Sequence, residues 1–144
     1  MLIGEYIHTI DNKKRIAVPA KFRKEIGKKA VLTKGLDGCL VAYPQTEWDK
    51  VAENLSNLPT GKIDNRNFVR LFLSSASEAD IDSLGRILIP DYLKVFADLG
   101  EKAVIVGVYK RFEIWNEKKW EEYKTRIEGE TDSLAEKLGE IGVY

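Results

Sequence analysis

Polar and apolar residues alternate from Glu5 to Ile10, a run that includes the β-branched Ile7, Thr9 and Ile10, and the pattern predicts a strand. Asp11-Asn12-Lys13-Lys14 breaks it as a polar turn, and Arg15-Ile16-Ala17-Val18 resumes the alternation, so the two runs read as a β-hairpin with a charged tip. Pro19 lacks an N–H and suits the first turn of a short helix, Ala20 to Ile26, which Gly27 stops. Ala30 to Thr33 and Cys39 to Tyr43 form a second predicted hairpin around Gly35-Leu36-Asp37-Gly38, whose Asp-Gly is a tight-turn signal. Thr46 is then a candidate helix cap, with Trp48, Val51, Ala52 and Leu55 at helical spacing. Leu58-Pro59-Thr60-Gly61 ends that helix, and Asp64 can cap the next, where Phe68, Leu71 and Phe72 form an apolar stripe.

The order then repeats: strand, turn, strand ending at Pro90, short helix to Leu99, strands Ala103 to Val108 and Phe112 to Trp115, and a helix from about Asn116. Gly129 interrupts the tail, and Thr131-Asp132 can cap a last helix carrying Leu134, Leu138 and Ile141 on one side. The repetition extends to residue identity. Asp82, Arg86 and Pro90 each stand 71 positions after Asp11, Arg15 and Pro19, and Ile87 and Ile89 match Ile16 and Val18. With a two-residue insertion, Leu99 to Ile105 parallels Ile26 to Leu32, and Trp115 and Trp120 repeat the spacing of Tyr43 and Trp48. So long a period is a duplicated module rather than a solenoid repeat. The expected organisation is a module over 5–51, a linking helical segment over 52–75, a second module over 76–123 and a helical tail over 124–144. Modules this short are expected to share one core, and strands with surrounding helices make the class α+β.

The 144 residues, 44% apolar and 10% aromatic, suffice for a real core. The longest apolar run, Ala103 to Tyr109, is far below the ~18 residues of a membrane span, and no basic region precedes an apolar stretch at the start. The single cysteine leaves no internal disulfide and suits a reducing cytosol. Net charge is zero, but its distribution is lopsided. From Asp11 to Lys29 eight basic residues face two acidic ones; from Asp82 to Lys102 three face four; from Glu113 onward five face nine. A polyanion partner is therefore expected for the first half alone.

Catalytic chemistry has little to draw on. His8 lies inside a predicted strand, Cys39 beside a turn reads as a small buried apolar residue, and no cluster has metal-ligand spacing. The repeated Asp-x-x-x-Arg is the better lead, since an aspartate opening a turn can bind backbone N–H groups two residues on. In the second copy Asp82 and Arg86 read as a structural pair. In the first copy Asp11, Asn12, Lys13, Lys14 and Arg15, with Lys21 and Arg23 on the adjoining helix, read either as a solvated basic face or as a DNA-binding surface. A third possibility is a non-enzymatic oligomeric scaffold that docks an acidic protein partner on the same strip; an enzyme ranks last.

The pattern Asp-x-x-[Gly/Lys]-Arg-Ile-x-[Val/Ile]-Pro with a short helix behind it resembles the swapped-hairpin DNA-binding module of AbrB type. Two copies, with Pro19-Ala20-Lys21-Phe22-Arg23 after the first, closely resemble the MraZ family of SpoVT-AbrB-type bacterial transcriptional regulators. That resemblance implies two pseudo-repeated swapped-hairpin modules sharing one β-barrel-like core, with flanking and linking helices. It also implies a cytoplasmic, nucleoid-associated protein that binds double-stranded DNA at repeats upstream of its own cell-division and cell-wall operon and represses it. Self-association into a multi-subunit ring comes with it; a cofactor, a membrane and a small-molecule substrate do not. The family's DNA contact maps onto Arg15, with Arg86 as its repeat-mate. One departure stands out: Lys14 occupies the position where such modules commonly have the glycine seen here as Gly85. A lysine adds a phosphate-seeking charge but tolerates positive φ poorly.

Overall fold

The two halves of the chain fold through each other. In the computed structural model, which describes residues 1–143, Arg15–Ala17 (β2) pairs antiparallel with Arg86–Leu88 (β6), and Ile16 stands opposite Ile87. These two isoleucines are repeat-mates, so the pseudo-two-fold relating the halves passes between them. Both are buried, at 0% and 1% exposure.

The first strand, Leu2–Thr9 (β1), does not close a hairpin on β2; a single bridge between Ile10 and Ile16 joins them. It crosses instead to Lys102–Tyr109 (β7) of the second half, in register from Leu2 opposite Tyr109 to Thr9 opposite Lys102. The corresponding strand of the second half, Ser77–Asp80 (β5), crosses back to Lys29–Lys34 (β3). The expected charged hairpin is thereby corrected to a turn between two strands that both pair with the other half. The physical reason is pairing length, because the three residues of β2 could satisfy only part of β1, whereas β7 satisfies all eight.

Leu40–Pro44 (β4) and Phe112–Asn116 (β8) complete an antiparallel sheet in the order β1-β7-β8-β4-β3-β5. The turn before β4 has the geometry its Asp-Gly predicts, with φ of 61° at Asp37 and 79° at Gly38. One apolar core draws on both halves. Repeat-mates Ile16 and Ile87, Val18 and Ile89, and Phe22 and Leu93 all lie in it with at most 1% exposure. Burying each such side chain contributes roughly 1.5–3 kcal/mol.

Helices Ala20–Ile26 (α1) and Asp91–Phe96 (α4) follow the two prolines. The second stops three residues short of the expected Leu99, and Asp98 turns left-handed at φ 51°. Gln45–Ser56 (α2) and Ile63–Ser74 (α3) form the link between halves; they begin after Pro44 and Lys62, and neither Thr46 nor Asp64 acts as the cap. Glu117–Glu128 (α5) is capped by the Asn116 side chain, which accepts from Lys119 N–H at 2.9 Å, and Thr131–Glu140 (α6) follows, with Glu130 rather than Thr131 or Asp132 at its cap position. The repeat survives in aromatic packing as well: Tyr43 meets Trp48 at 5.8 Å between ring centroids, and Trp115 meets Trp120 at 5.2 Å.

Candidate nucleic-acid interface

Each Asp-x-x-x-Arg segment is a tight turn held by its own aspartate. Asp11 N–H donates to Arg15 O at 2.9 Å and Lys14 N–H to Asp11 O at 3.0 Å. The Asp11 carboxylate accepts from the N–H groups of Lys13 and Arg15 on one oxygen and from Arg15 Nε on the other, each at 2.9 Å. In the second turn Asp82 does the same for Leu84, Arg86 and Arg86 Nε, again at 2.9 Å. In both, the arginine N–H is the main reason the carboxyl stays below its ordinary pKa, with the arginine side chain and the other N–H adding to it.

The strand pairing then sets where the arginines go. Arg15 and Ala17 flank buried Ile16 on β2, and Arg86 and Leu88 flank buried Ile87 on β6, so all four share the outward face. Both arginine side chains are 28% exposed, and Arg86 Nη1 lies 3.8 Å from Asp11 Oδ2, which joins the two tips. Because Nε is committed to the aspartate in each, the outer guanidinium nitrogens are what each tip presents, although Arg86 Nη1 also faces the Asp11 carboxylate. The second Asp–Arg pair is no more enclosed than the first, a symmetry that the charge count along the chain did not reveal.

The tips are also tied backbone to backbone across the pseudo-two-fold. Val18 N–H donates to Gly85 O and Ile89 N–H to Lys14 O, both at 2.8 Å. Those bonds require the same local conformation at positions 14 and 85, and Lys14 adopts φ 63° beside 78° for Gly85. The Lys14 ammonium pairs with Asp91 of α4, in the other half. Asn12 and Lys13 are exposed on the first tip, and Lys21 is exposed on α1. Arg23, also exposed on α1, sends its Nε to Val18 O at 3.0 Å and reaches the second tip at Gly85. Neither the Lys14–Asp91 pair nor the reach of Arg23 was foreseen. Their only trace in the sequence is where the repeat breaks, with Lys14 against Gly85, Ala20 against Asp91 and Arg23 against Lys94.

Two further ionisable side chains, Cys39 and His8, are governed by burial. Cys39 is buried, its thiol pushed up to about 12 by burial and then by the Glu113 and Asp37 carboxylates, and it donates to Leu36 O at 3.2 Å. His8 is held below its ordinary pKa by burial and by the Arg23 charge. Among the described residues no group of three or more His, Cys, Asp or Glu could hold a metal ion, and no helix is long and apolar enough to cross a membrane.

Fold and site together define a tandem-repeat α+β protein whose two repeats interlock to set a pair of aspartate-clamped arginines on one face. A family profile described as "MraZ protein, putative antitoxin-like" matches twice in succession, over residues 1–71 and 72–139, and the chain belongs to the MraZ family. Its relatives include proteins named transcriptional regulator MraZ from Moorella thermoacetica, 46% identical over 99% of this chain and 100% of the relative. Another, from Ligilactobacillus salivarius, is 49% identical over 96% of each chain. A third, from Clostridium tetani, is 47% identical over 99% of this chain and all of the relative.

Proposed function

We propose that this chain is a DNA-binding transcriptional regulator that reads operator DNA with the Asp11-to-Arg15 tip. The observation that carries the reading is the clamp itself. An arginine fixed through Nε and left with its outer nitrogens free is pre-organised for a two-pronged hydrogen bond to guanine O6 and N7 in a major groove. Such a contact discriminates by about 1–3 kcal/mol per base pair. Lys13, Lys14, Lys21 and Arg23 then face phosphates, and Asn12 the groove edge; the cations govern affinity and salt dependence rather than sequence. The names of the relatives support the same assignment.

One tip is a small contact, so useful affinity comes from several chains acting together. In this reading the protein assembles into a ring whose tips meet spaced repeats upstream of its own operon, and avidity multiplies binding by about 10²–10⁴. It works in the cytoplasm, on the nucleoid, as a repressor of that operon. The modules span 5–51 and 76–123, and the crossing of β1 and β5 is the swapped-hairpin exchange. Electrophoretic mobility shift on DNA from just upstream of its own gene, at several salt concentrations, tests the proposal. The native chain should prefer that fragment to random DNA, and Arg15→Ala should lose the preference with its circular dichroism unchanged. A folded Arg15→Ala protein with native retardation would refute it, and retardation indifferent to sequence would favour a scaffold.

A further inference from the structure

We propose that Arg23, although it belongs to the first half of the chain, is the phosphate-holding cation of the second tip. By itself that tip is poor in charge: Asp82-Ser83-Leu84-Gly85-Arg86 has no lysine, where the first tip has two. The fold supplies what the sequence lacks. A Cβ added at Gly85 would run into Nε and Cζ of Arg23 and stand 2.8 Å from its Nη1, so the guanidinium lies against bare backbone at the crown of the second turn. It is anchored there. Arg23 Nε donates to Val18 O at 3.0 Å, and Val18 N–H donates to Gly85 O at 2.8 Å, which links helix, strand and tip in one chain of bonds. With Nε occupied, the outer nitrogens make no protein hydrogen bond and no ion pair among the described residues. A planar fork held by its inner edge and open at its outer edge fits a phosphate diester.

The broken repeat gives the same answer from the other side. The mate of Gly85 is Lys14, whose side chain fills the space that Gly85 leaves open, and the mate of Arg23 is Lys94. Lys14 pairs with the exposed Asp91 carboxylate, where the first half has only Ala20. A helix of the opposite half thus meets each tip, but the first meeting sets an exposed carboxylate beside a cation and the second delivers an unpaired one. The lopsided charge of the sequence is evened out in space, and the second tip, Arg86 with Arg23, becomes a DNA-contacting station built from both halves.

The inference rests on the DNA-binding reading above, and the experiment separates the two. Full-length protein is titrated onto the upstream fragment by fluorescence anisotropy over a salt series, as the native chain and as Gly85→Ala, Arg23→Gln and Lys24→Gln. Gly85→Ala leaves every charge in place but expels the guanidinium from the tip. It and Arg23→Gln should each weaken binding at least about tenfold and lower the slope of log affinity against log salt by about 0.9 for every second tip engaged, the loss of one phosphate contact per tip. Lys24→Gln, an equal charge loss on the same helix, should do less. Gly85→Ala with native affinity and slope overturns the proposal. Should thermal melting show Gly85→Ala unfolded, Arg23→Lys takes its place: it keeps the charge without the Nε anchor and should also weaken binding, native affinity again being the overturning result. Arg15→Ala runs alongside. Native binding by Arg15→Ala removes the DNA reading itself, whereas loss there with native Gly85→Ala removes this inference alone.

Discussion

Lys14 holds φ 63° at the step of its turn where Gly85, its repeat-mate, holds φ 78°. A side chain in the left-handed region costs roughly 1–2 kcal/mol that glycine does not incur. The turn imposes the conformation regardless, because Lys14 O must accept from Ile89 N–H across the pseudo-two-fold. Its exposed pair with Asp91 returns at most about 1 kcal/mol. Lys14→Gly should therefore be mildly stabilising, by about 0.5–1 kcal/mol once the extra freedom of the unfolded chain is subtracted. That corresponds to a melting rise of about 1–3 °C by calorimetry. The same substitution should weaken DNA binding through the lost cation, so stability and affinity are expected to move in opposite directions.

Ile16 and Ile87 meet on the pseudo-two-fold with almost no exposed surface. Truncating either to alanine should cost about 2–5 kcal/mol in urea denaturation. Because the two are neighbours, the double substitution should depart from the sum of the singles. Both substitutions should also keep one unfolding transition, since neither half has a core that excludes the other. A second transition from a surviving half would contradict the shared core.

The Asp11 and Asp82 carboxyls sit below their ordinary pKa, chiefly because the arginine N–H of each turn binds the ionised form. On acidification the unfolded chain takes up these protons first, so the stability they add is full above about pH 4 and fades as pH falls through the depressed folded values. Asp11→Asn and Asp82→Asn should each flatten the acid limb of a melting-temperature profile. Matching clamp distances predict effects of similar size. A large effect from only one of them would mean that the two turns differ in solution.

Much of this architecture is legible in the sequence, and the unread parts share a cause. Element order and the aspartate-held turns follow from local patterns, which depend on neighbours a few positions away, and the repeat at 71 residues follows from comparing those patterns along the chain. The partner of each strand does not. β1 and β5 hold the same place in the two repeats, and local pattern alone does not say that β1 prefers β7 to β2; only the summed pairing decides. The site divides the same way. Asp11 with Arg15 could be read from spacing, but the reach of Arg23 to Gly85 depends on the pairing of β2 with β6 and is invisible before it. Lys14 went against a sound rule about glycine because a long-range bond to Ile89 overrides its local preference.

His8 offers a spectroscopic view of the crossing of β1, because it is the one histidine in the chain. Burial in the sheet and the nearby Arg23 charge both disfavour its imidazolium and hold its pKa below 6.5. The unfolded chain, with an ordinary histidine, is protonated first as pH drops, so folding stability should decline from about pH 6.5 down to the depressed folded value and be unaffected above. His8→Asn should remove that part of the decline in melts between pH 7.5 and 5. Removing the Arg23 charge with Arg23→Gln should raise the His8 pKa in an NMR titration. A phosphate set against Arg23 must act in the same direction, since a neighbouring anion favours imidazolium. Operator DNA should accordingly shift the single histidine resonance toward a higher pKa in the native protein and much less in Arg23→Gln. An unchanged His8 titration on DNA binding would mean that no phosphate sits against Arg23.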